Sequence, residues 1–551
     1  MKKILIVGGV AGGATAAARL RRLDENAEIV IFERGAHISF ANCGLPYYIG
    51  GTIAERRDVL LQTPESIRQR LNIDVRTHSE ALSVSRADKT VSVRNALTGE
   101  TYAESYDKLI MSPGGAPIKP PVEGIDSGRV FTLRNVDDAD RIKAYIGKAR
   151  PKRAAVIGGG FIGIEMAENL MAAGVDVSIV ELSDQVIAPI DIDVACELHS
   201  YMRRLGISLL LNNGLQRFAE RGDKLIVELT NGSLEADMAI LAIGVRPDSS
   251  LAKDAGLQIN ARGGIVVDRH MRTGDPDIYA VGDAVETTDF VTGQAAMIPL
   301  AGPANKQARV AADNICGIPS EYAGTQGSMV IKVFDMTVAA TGINEKTAKR
   351  LGLNYDKVFI WQQGHAGYYP GSQPMSMKVI FKKGSGKILG AQIAGFDGVD
   401  KRCDVLAVAI RAGMTASDLA ALELCYAPPY SSAKDPVNMA GFAIENVLTG
   451  KVKIFHWHEL DALPRDGGVT LLDVRFAQAA SAYGVDGFIN IPLEALRGRI
   501  GELDPVKPVY IMCHSGLRSY YAARILSQRG YDAYSLSGGY RLYNAVTSHT
   551  A

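Results

Sequence analysis

The sequence predicts a multidomain α/β protein, and three observations lead to this fold class. The chain has 551 residues, whereas one hydrophobic core stops growing at roughly 250–300 residues, so several domains are expected. Residues 2–34 and residues 153–182 each run from an apolar strand through a glycine-rich turn into a helix and a second strand. A shorter strand and helix pattern follows from residue 455 onward, which predicts a further, smaller α/β domain.

The charge balance and the short apolar runs argue against nucleic acids and membranes as partners. Lys plus Arg and Asp plus Glu number 60 each, so no basic surface favours a nucleic acid or an acidic membrane. The apolar run Ile4 to Val7 is shorter than the roughly 7–15 residues of a signal-peptide core. No run approaches the ~18 apolar residues of a membrane span. We expect small-molecule partners, no nucleic acid, no membrane and a cytoplasmic location.

The cysteines are scattered along the chain rather than clustered. Cys43, Cys196, Cys316, Cys403, Cys425 and Cys513 lie far apart, without a CxxC pair or a His/Cys cluster. This spacing predicts neither a disulfide framework nor a zinc site. No metal is therefore expected, and each thiol has to be considered separately.

The first glycine-rich segment is typical of a dinucleotide-binding turn. In that pattern the first glycine makes the turn, the second admits a pyrophosphate and the third lets the helix pack on the strand. Gly8 and Gly13 fill the first and third places, and Val10 takes the second. Glu33 stands where a carboxylate would accept the adenosine ribose hydroxyls. Taken alone, the segment also fits an ordinary glycine-rich turn.

The second segment carries the full GxGxxG pattern at Gly158, Gly160 and Gly163. Two such units imply two dinucleotides. Glu181 closes the next strand, and its carboxylate favours NADH, because it would accept a free 2′-hydroxyl and repel a 2′-phosphate. NADPH is the alternative reductant, and a solvated carboxylate at a strand end is the alternative for Glu181.

A third segment, TGDPDIYAVGDA at residues 273–284, ends an apolar strand in Gly282 and Asp283. A carboxylate is thereby placed at the end of a strand where ligands of open α/β sheets bind. Together with GGVAGG at 8–13, SPGGAP at 112–117 and Glu165 after the second glycine motif, this segment resembles the two-dinucleotide flavoprotein disulfide reductases. The resemblance covers residues 1 to about 446.

The resemblance implies FAD in the first and third segments, with Asp283 on the ribityl chain, and a nicotinamide nucleotide in the inserted second domain. It implies cofactor-binding residues throughout these segments, which are Gly8, Val10, Ala11, Gly12, Gly13, Glu33, Arg34, Asn42, Cys43, Ala81, Ser112, Gly114, Gly158, Gly160, Phe161, Ile162, Gly163, Glu181, Gly244, Asp283 and Ala301.

Cys43 lies in the stretch HISFANCGLPYYIG at residues 37–50 without a second cysteine. The positions of a CxxxxC pair hold Ile38 and Tyr48, so no internal disulfide can close. A single thiol takes two electrons by cycling through a mixed disulfide, a persulfide or a sulfenic acid. A buried apolar role is the alternative for an isolated cysteine.

The segment SFANCGLPYYIGG resembles the coenzyme A-disulfide reductase branch, which also includes single-cysteine NADH oxidases and peroxidases. The resemblance implies contacts with coenzyme A, as a substrate or a tightly bound ligand, at Thr15, Arg19, Arg22, Ser39, Asn42, Asn305 and Lys434. Asn305 stands where the family usually has a histidine. Arg19 and Arg22 are one helical turn apart and can meet a phosphate together, with a solvated helix face as the alternative.

A free thiol has a pKa near 8.5, so a nucleophilic Cys43 needs its pKa lowered by about two units. We expect the flavin and a helix terminus to lower it. The resemblance further implies that Tyr368 and Tyr426 reach Cys43 of the partner subunit in a homodimer and donate to the departing thiolate. Tyr369 and Tyr430 are the second choice, packing is the alternative for all of these tyrosines, and Tyr47 and Tyr48 are interpreted as packing.

Cys513 ends an apolar strand, and the loop CHSGLR that follows leads into an amphipathic helix. Backbone N–H groups at such a place form an anion nest, and Arg518 is expected to add a fixed positive charge. Residues 455–551 resemble a single rhodanese (sulfurtransferase) domain, which implies that Cys513 forms a persulfide. The related phosphatase loop has five residues between Cys and Arg, whereas this loop has four, which favours sulfur. An inert docking domain is the alternative.

The predicted fold is therefore α/β, with two Rossmann-like dinucleotide-binding domains for FAD and NAD, an α+β dimerisation domain and a small α/β rhodanese domain. The predicted boundaries follow the motifs along the chain: FAD-binding domain 1–149 and 271–325, NAD(P)H-binding domain 150–270, dimerisation domain 326–446, linker 447–454 and rhodanese domain 455–551.

The predicted function is an NADH-dependent FAD enzyme that reduces coenzyme A persulfide, polysulfide or coenzyme A disulfide through Cys43, while Cys513 handles sulfane sulfur. One alternative is an NADH oxidase or peroxidase in which Cys43 cycles through a sulfenic acid. The other is a sulfur carrier or redox sensor in which the flavin domains are structural.

Overall fold

A computed structural model describes residues 2–550 of the chain. Their packing separates two compact units: residues up to 186 with 206–325, and residues 187–205 with those from 326 onward. These are called the first unit and the second unit below. None of the described helices combines the length and apolar character that a membrane crossing requires.

Strands occur throughout both units. In chain order they are β1 (Lys3–Val7), β2 (Glu28–Phe32), β3 (Asp74–Arg76), β4 (Ser79–Ser85), β5 (Thr90–Asn95), β6 (Thr101–Ser105), β7 (Lys108–Met111), β8 (Gly115–Pro117), β9 (Val130–Thr132), β10 (Arg153–Ile157), β11 (Asp176–Val180), β12 (Ser208–Leu210), β13 (Leu215–Arg221), β14 (Lys224–Leu229), β15 (Ser233–Ala236), β16 (Met238–Leu241), β17 (Val245–Pro247), β18 (Ile278–Ala280), β19 (Thr287–Thr288), β20 (Ala295–Ala296), β21 (Met329–Val333), β22 (Met336–Gly342), β23 (Tyr355–Gln363), β24 (Pro374–Lys382), β25 (Ile388–Gly395), β26 (Lys453–Phe455), β27 (Thr470–Asp473), β28 (Ile489–Asn490), β29 (Val509–Met512) and β30 (Ala533–Leu536).

Helices alternate with these strands. In chain order they are α1 (Ala11–Leu23), α2 (Leu45–Gly50), α3 (Pro64–Leu71), α4 (Val136–Ala149), α5 (Phe161–Ala172), α6 (Ile192–Arg204), α7 (Ser250–Asp254), α8 (Ala301–Ile315), α9 (Glu345–Arg350), α10 (Val399–Ala412), α11 (Ala416–Ala421), α12 (Pro436–Leu448), α13 (Trp457–Leu460), α14 (Ala477–Ala482), α15 (Leu493–Arg499), α16 (Leu517–Ser527) and α17 (Gly539–Thr550), with short 3-10 turns at Asn42–Gly44, Arg56–Val59 and Ile500–Glu502.

The first unit is organised around two parallel sheets. One has the strand order β18-β7-β1-β2-β3 and the other β12-β11-β10-β16-β9. Strand β1 is an apolar run because a strand in the middle of a parallel sheet is covered on both faces, and Ile4, Leu5 and Ile6 are fully buried. The turns after β1, β7 and β18 all lie at the carboxyl edge of the first sheet, since its strands are parallel. This edge is where a ligand of an open α/β sheet binds.

The second unit contains an antiparallel sheet and a parallel sheet. The antiparallel sheet has the order β21-β22-β25-β24-β23, and the parallel sheet has the order β26-β30-β29-β27-β28. Helix α10 packs on β22 and β25, and helix α6 packs against β25 and against α17. By packing, α6 therefore belongs with the second unit, although its chain neighbours β11 and β12 lie in a sheet of the first.

A buried cluster of charges joins α6, α9 and the antiparallel sheet. The Lys378 Nζ lies 2.8 Å from Asp193, 3.0 Å from Asp191 and 2.9 Å from Glu345. Lys357 approaches Glu345 to 2.5 Å. Burial alone would raise the pKa of Glu345, but Lys378 and Lys357 hold that pKa below its usual value. Glu345 is therefore charged, and the burial of these acidic side chains is tolerated because Lys378 pairs with several of them.

We predict that Lys378→Met lowers the free energy of unfolding by about 3–5 kcal/mol, because it leaves buried carboxylates without a cation. Urea unfolding followed by circular dichroism measures the change. The control is Lys382→Met at the exposed end of the same strand, which should cost at most about 1 kcal/mol. Equal losses in the two variants would show that the cluster does not stabilise the fold.

Candidate functional site

The glycine turn after β1 is too crowded for side chains. Gly8 has φ 97°, and a Cβ at this position would collide with the carbonyl oxygen of Ser112. A Cβ on Gly13 would collide with the carbonyl oxygen of Gly8. Helix α1 begins at Ala11 after Val10, and no side chain caps its first turn. The free N–H groups at its start can therefore receive an anionic phosphate.

The turn after β10 repeats this geometry. Gly158 has φ 109°, and a Cβ there would collide with Ala242. A Cβ on Gly163 would collide with the carbonyl oxygen of Gly158, whereas Gly160 faces open space at the start of α5. The second cradle thus also has an uncapped helix start beside a space that side chains leave open.

Glu33 and Glu181 occupy matching positions in the two cradles. Glu33 accepts N–H bonds from Gly9 at 2.9 Å and from Gly35 at 2.8 Å. Glu181 accepts from Gly159 at 2.7 Å and from Ser183 at 2.8 Å. Each carboxylate is thereby held beside its glycine turn and keeps lone pairs for a ribose hydroxyl.

Asp283 lies at the carboxyl edge of the first sheet. It follows Gly282, which has φ 89° and donates its N–H to Gln307 at 2.8 Å. Burial raises the pKa of Asp283, and the nearby Arg134 partly offsets this effect. The pair of turns at Ser112 and Asp283 therefore faces the first glycine cradle, with a polar carboxyl group ready to accept a ligand hydroxyl.

The other predicted cofactor residues lie around the same two cradles. Arg34 is paired with Asp248 at 2.8 Å, so its guanidinium is partly occupied by a protein carboxylate. Ala11 and Gly12 begin α1, Phe161 and Ile162 begin α5, Ala301 begins α8, Ala81 lies on β4, and the left-handed turns Gly114 and Gly244 follow β7 and β16.

Cys43 lies in a 3-10 turn just before α2, and its side chain is exposed. Partial desolvation in the surrounding cleft is the largest cause that raises the pKa of this thiol, and the charges of Glu165 and Asp283 add to it. Burial and the neighbouring Glu168 raise the pKa of Glu165 to about 7. These protein groups therefore act against the thiolate, and the lowering expected from the flavin and a helix terminus stays a prediction.

Helix α2 packs against α5 of the second cradle. A Cβ on Gly50 would collide with the amide of Asn169, so the two helices approach closely. Tyr47 was expected only to pack, but burial and the charges of Glu165, Glu168 and Cys43 raise its pKa to about 12. Tyr47 is thus a neutral phenol near the thiol, which it follows by four positions in the chain.

Some of the predicted coenzyme A residues of the first unit already pair with other protein groups. Thr15 donates to Asn305 at 3.0 Å, and Arg19 forms a 2.7 Å ion pair with Asp313 on α8. Arg22, by contrast, is exposed. The two arginines therefore differ in available charge, because Asp313 already neutralises much of Arg19.

Ser39 and Asn42 flank the thiol turn. Ser39 has φ 46°, a left-handed conformation that is uncommon for a serine. With its amide oriented to satisfy both partners, Asn42 donates to the carbonyl of Arg134 at 3.0 Å and accepts from its guanidinium at 2.8 Å. Lys434 is exposed in the second unit.

Tyr368 and Tyr426 are brought together in the second unit, although 58 positions separate them in the chain. Their hydroxyls are 2.7 Å apart, and both rings are exposed. The hydrogen bond to Tyr426 raises the pKa of Tyr368. Tyr369 instead packs edge-on against His365, and Tyr430 lines a cavity of about 430 Å³ together with Tyr426.

A buried arginine holds the loops of these tyrosines. Arg402 is 1% exposed and pairs with Asp435 at 3.0 Å. Its guanidinium also donates to the Gly364 carbonyl at 2.9 Å and to the Ser431 hydroxyl at 3.0 Å. Arg402 thereby fixes the segments just before Tyr368 and just after Tyr426, and no motif in the sequence indicated this role.

The loop after β29 surrounds the Cys513 sulfur. Cys513 is 1% exposed, and its Sγ accepts the N–H of Gly516 at 3.1 Å. The thiol lies 3.4 Å from the Ser519 hydroxyl, which accepts a further bond from Ser535 at 2.9 Å. Gly516 has φ 96° and begins α16. The loop therefore directs a backbone N–H donor at the sulfur, as in an anion nest. The Ser519 hydroxyl accepts from the thiol and donates to the Gly516 carbonyl.

Arg518 was expected to add its charge to the Cys513 loop, but its guanidinium contacts other residues. Its guanidinium pairs with Glu494 at 2.5 Å and lies over the Phe476 ring at 3.9 Å. The reason is that Arg518 lies on the first turn of α16, facing α15. Other arginines act on this loop, since burial first and then Arg541 and Arg475 lower the pKa of His514. Arg475 lies before the CHSGLR loop and Arg541 lies after it. The sequence therefore could not show that both arginines are close to this loop.

Family comparisons cover most of the chain. A model of the pyridine nucleotide-disulphide oxidoreductases matches residues 2–308. The chain belongs to this family. The family's dimerisation domain matches residues 329–436, and a rhodanese-like domain matches residues 456–545. The predicted fold class and the resemblance to disulfide reductases are thereby confirmed, while the precise domain boundaries stay predictions.

Individual relatives agree with this membership. The oxidoreductase is 38% identical to a coenzyme A disulfide reductase of Staphylococcus haemolyticus over 80% of this chain and 99% of the relative. It resembles the crystal structure of reduced Bacillus anthracis CoADR-RHD with TM-score 0.97 and 51% identity, over 99% of this chain and 98% of that one. It also resembles a NAD-dependent persulfide reductase from A. fulgidus with TM-score 0.92 and 37% identity, over 98% and 100% of the two chains.

We predict that Glu165→Gln makes the Cys43 thiol ionise at lower pH, because a negative charge near the thiol disfavours the thiolate. The measurement is the pH dependence of Cys43 alkylation in ligand-free protein, read from the Cys43 peptide by mass spectrometry. The control is Glu55→Gln, which removes an exposed carboxylate in the segment after α2. An unchanged midpoint in Glu165→Gln would contradict the electrostatic origin of the raised pKa.

We predict that Gly8→Ala abolishes retention of the family's flavin, because the new methyl group collides with Ser112 and the left-handed backbone disfavours alanine. The visible absorbance of the purified protein measures bound flavin. The matched control is Gly128→Ala, where a Cβ meets nothing within 4 Å. Full flavin content in Gly8→Ala would exclude the first cradle as the flavin site.

Proposed function

We propose that this oxidoreductase is a homodimeric FAD enzyme that uses NADH to reduce coenzyme A persulfide, polysulfide or coenzyme A disulfide. Cys43 is its redox centre, and Cys513 handles sulfane sulfur. The observation that carries the proposal is the pairing of two thiols in one chain, an exposed Cys43 beside the first cradle and a buried Cys513 in a nest. The names of the relatives with the same arrangement of domains support it.

The two cradles fit the two cofactors. Residues around Gly8, Glu33 and Asp283 would hold FAD, since crowded glycines, an uncapped helix and a carboxyl group surround one edge of the sheet. Residues from Gly158 to Gly163 with Glu181 would hold NADH, because the carboxylate suits a free ribose hydroxyl. When bound, FAD supplies a carrier for two electrons between NADH and the oxidised thiol.

Cys43 reacts as a thiolate, and its raised pKa in the protein alone means that bound groups must favour this form. Attack on the inner sulfur of coenzyme A persulfide gives a Cys43–coenzyme A disulfide and releases hydrosulfide. Attack on the outer sulfur gives a Cys43 persulfide and releases the coenzyme A thiolate. Two electrons then cleave either S–S bond and restore the Cys43 thiolate.

Tyr368 and Tyr426 are proposed to donate a hydrogen bond or a proton to the departing thiolate at Cys43 of the partner subunit. Their hydroxyls share one hydrogen bond and their rings are exposed, and they lie in the range of the dimerisation domain. The buried Arg402 supports them because it fixes both loops. A neutral phenol suits this role, since it donates without repelling an anion.

The coenzyme A contacts are proposed for Thr15, Arg19, Arg22, Ser39, Asn42, Asn305 and Lys434. Within this set, Arg22 and Lys434 are exposed cations, which favours them as phosphate ligands. Arg19 contributes less charge because Asp313 pairs with it.

We predict that Cys43→Ser abolishes NADH oxidation with every sulfur acceptor, because no other thiol takes the two electrons. Steady-state NADH oxidation is measured with coenzyme A persulfide, polysulfide, coenzyme A disulfide and oxygen. Cys513→Ser should keep the rate with added coenzyme A persulfide and lose sulfur transfer from polysulfide. The control is Cys316→Ser, a partly exposed thiol of the first unit, which should retain every activity.

Three outcomes would contradict the proposal. Full activity of Cys43→Ser would exclude Cys43 as the redox centre. Oxygen consumption that exceeds every sulfur rate and survives Cys513→Ser would favour an NADH oxidase with a Cys43 sulfenic acid. Slow NADH oxidation with all acceptors, together with a stable Cys513 persulfide, would favour a sulfur carrier.

A further inference from the structure

The sulfur site around Cys513 needs a cation that its own loop does not supply. Donors of sulfane sulfur such as thiosulfate and coenzyme A persulfide carry oxyanion groups, which bind to uncommitted guanidinium groups. Arg518 pairs with Glu494. Arg475 is 3% exposed and is bidentate to Asp473 at 2.7 and 3.0 Å. Arg518 and Arg475 are therefore both already paired with carboxylates.

Arg541 differs from these two arginines. It lies on the first turn of α17, and its backbone N–H donates to the carbonyl of His514 at 2.9 Å. Its guanidinium lies over the Trp361 ring at 3.7 Å. Among the hydrogen bonds and ion pairs of residues 2–550, none involves this guanidinium. Arg541 is thus a half-buried cation next to the Cys513 loop with its donors uncommitted.

The ionisable groups near Arg541 are Glu197, Arg204 and His514. Burial lowers the pKa of Arg541, Glu197 raises it and Arg204 lowers it further, but an arginine remains protonated at any physiological pH. Burial raises the pKa of Glu197 to about 8, so this carboxyl group is mostly neutral at pH 7. His514 has a lowered pKa and is neutral as well. The mostly neutral Glu197 therefore does not cancel the positive charge of Arg541 at pH 7, and Arg204 adds a second cation nearby.

Trp361, which packs against the Arg541 guanidinium, lies outside the rhodanese-like domain. Its indole Nε1 donates to the Gly538 carbonyl at 3.0 Å, and the N–H of Phe359 donates to the Ser537 hydroxyl at 3.0 Å. Strand β23 of the antiparallel sheet thereby supports the turn that leads into α17. The indole face also attracts the guanidinium through a cation–π interaction and limits its rotamers.

We propose that Arg541 binds the anionic group of the sulfur donor at Cys513, and that Trp361 is the residue that positions it. The inference rests on the proposed sulfane-sulfur role of Cys513 and names the chemical class of its donor. The Cys513 thiolate attacks the outer sulfur, the S–S bond of the donor breaks, and sulfite or the coenzyme A thiolate leaves with the bonding electrons. The new Sγ–S bond keeps the transferred sulfur, so no external oxidant or reductant is needed.

The test measures sulfur loading of Cys513 in the full-length protein without NADH. The mass gain of one sulfur atom on the Cys513 peptide is followed over time at increasing concentrations of thiosulfate, coenzyme A persulfide or pantetheine persulfide. Pantetheine persulfide carries the same persulfide group without the phosphates and serves as the donor that lacks an oxyanion group. The variants are Arg541→Gln, Arg541→Lys, Trp361→Phe and Trp361→Leu, with Arg518→Gln as the rival and the exposed Arg497→Gln as the charge control.

We expect Arg541→Gln to raise the half-saturating concentration of the anionic donors by at least about tenfold, while the limiting rate changes less. Pantetheine persulfide should be unaffected, and Arg541→Lys should restore part of the affinity because it keeps the charge. Trp361→Leu should weaken binding of the anionic donors, and Trp361→Phe should do so less because it keeps an aromatic face. If only thiosulfate responds, the donor is the inorganic anion; if only coenzyme A persulfide responds, the donor is the phosphate-bearing thiol.

Two results would overturn the proposal. One is unchanged half-saturation of Arg541→Gln with both anionic donors. The other is a loss in Arg518→Gln that exceeds the loss in Arg541→Gln. Equal losses for pantetheine persulfide and the donors with oxyanion groups would indicate a structural effect and would also exclude the proposal. Loading occurs without NADH and without Cys43, so a failure of the proposed reductase function leaves this result readable.

Discussion

The close approach of backbone to backbone at the glycine turns is the constraint on which the rest of the first unit depends. Gly13 touches the Gly8 carbonyl, and Gly163 touches the Gly158 carbonyl, so each helix packs onto its strand with no room for a methyl group. The same approach leaves the helix starts without side-chain caps. Their free N–H groups and the two held carboxylates then define where a dinucleotide can bind.

The packing of α2 on α5 connects the thiol to the second cradle. Cys43 lies just before α2, and Glu165 is on α5, so the thiol lies in the field of a carboxyl group from the helix of the second glycine motif. The protein groups alone raise the pKa of Cys43 and so disfavour its thiolate form.

In the second unit, buried charges take the place of the glycine turns as organising contacts. Lys378 holds α6 and α9 to the antiparallel sheet, and Arg402 holds the two tyrosine loops. Strand β23 then extends this support through Trp361 to the turn that leads into α17. The antiparallel sheet therefore contacts the rhodanese-like segment at this turn.

The sequence by itself determined the fold class, both glycine cradles, their carboxylates Glu33 and Glu181, and the two thiols, because these depend on local spacing within a strand, turn and helix. Only the tertiary structure decided which charges are available. Arg518 is neutralised by Glu494, whereas Arg541 stays uncommitted. Likewise, Arg402 contacts both loops that carry Tyr368 and Tyr426. Such pairings join residues far apart in the chain, and burial and Coulomb interactions depend on distance in space rather than in sequence.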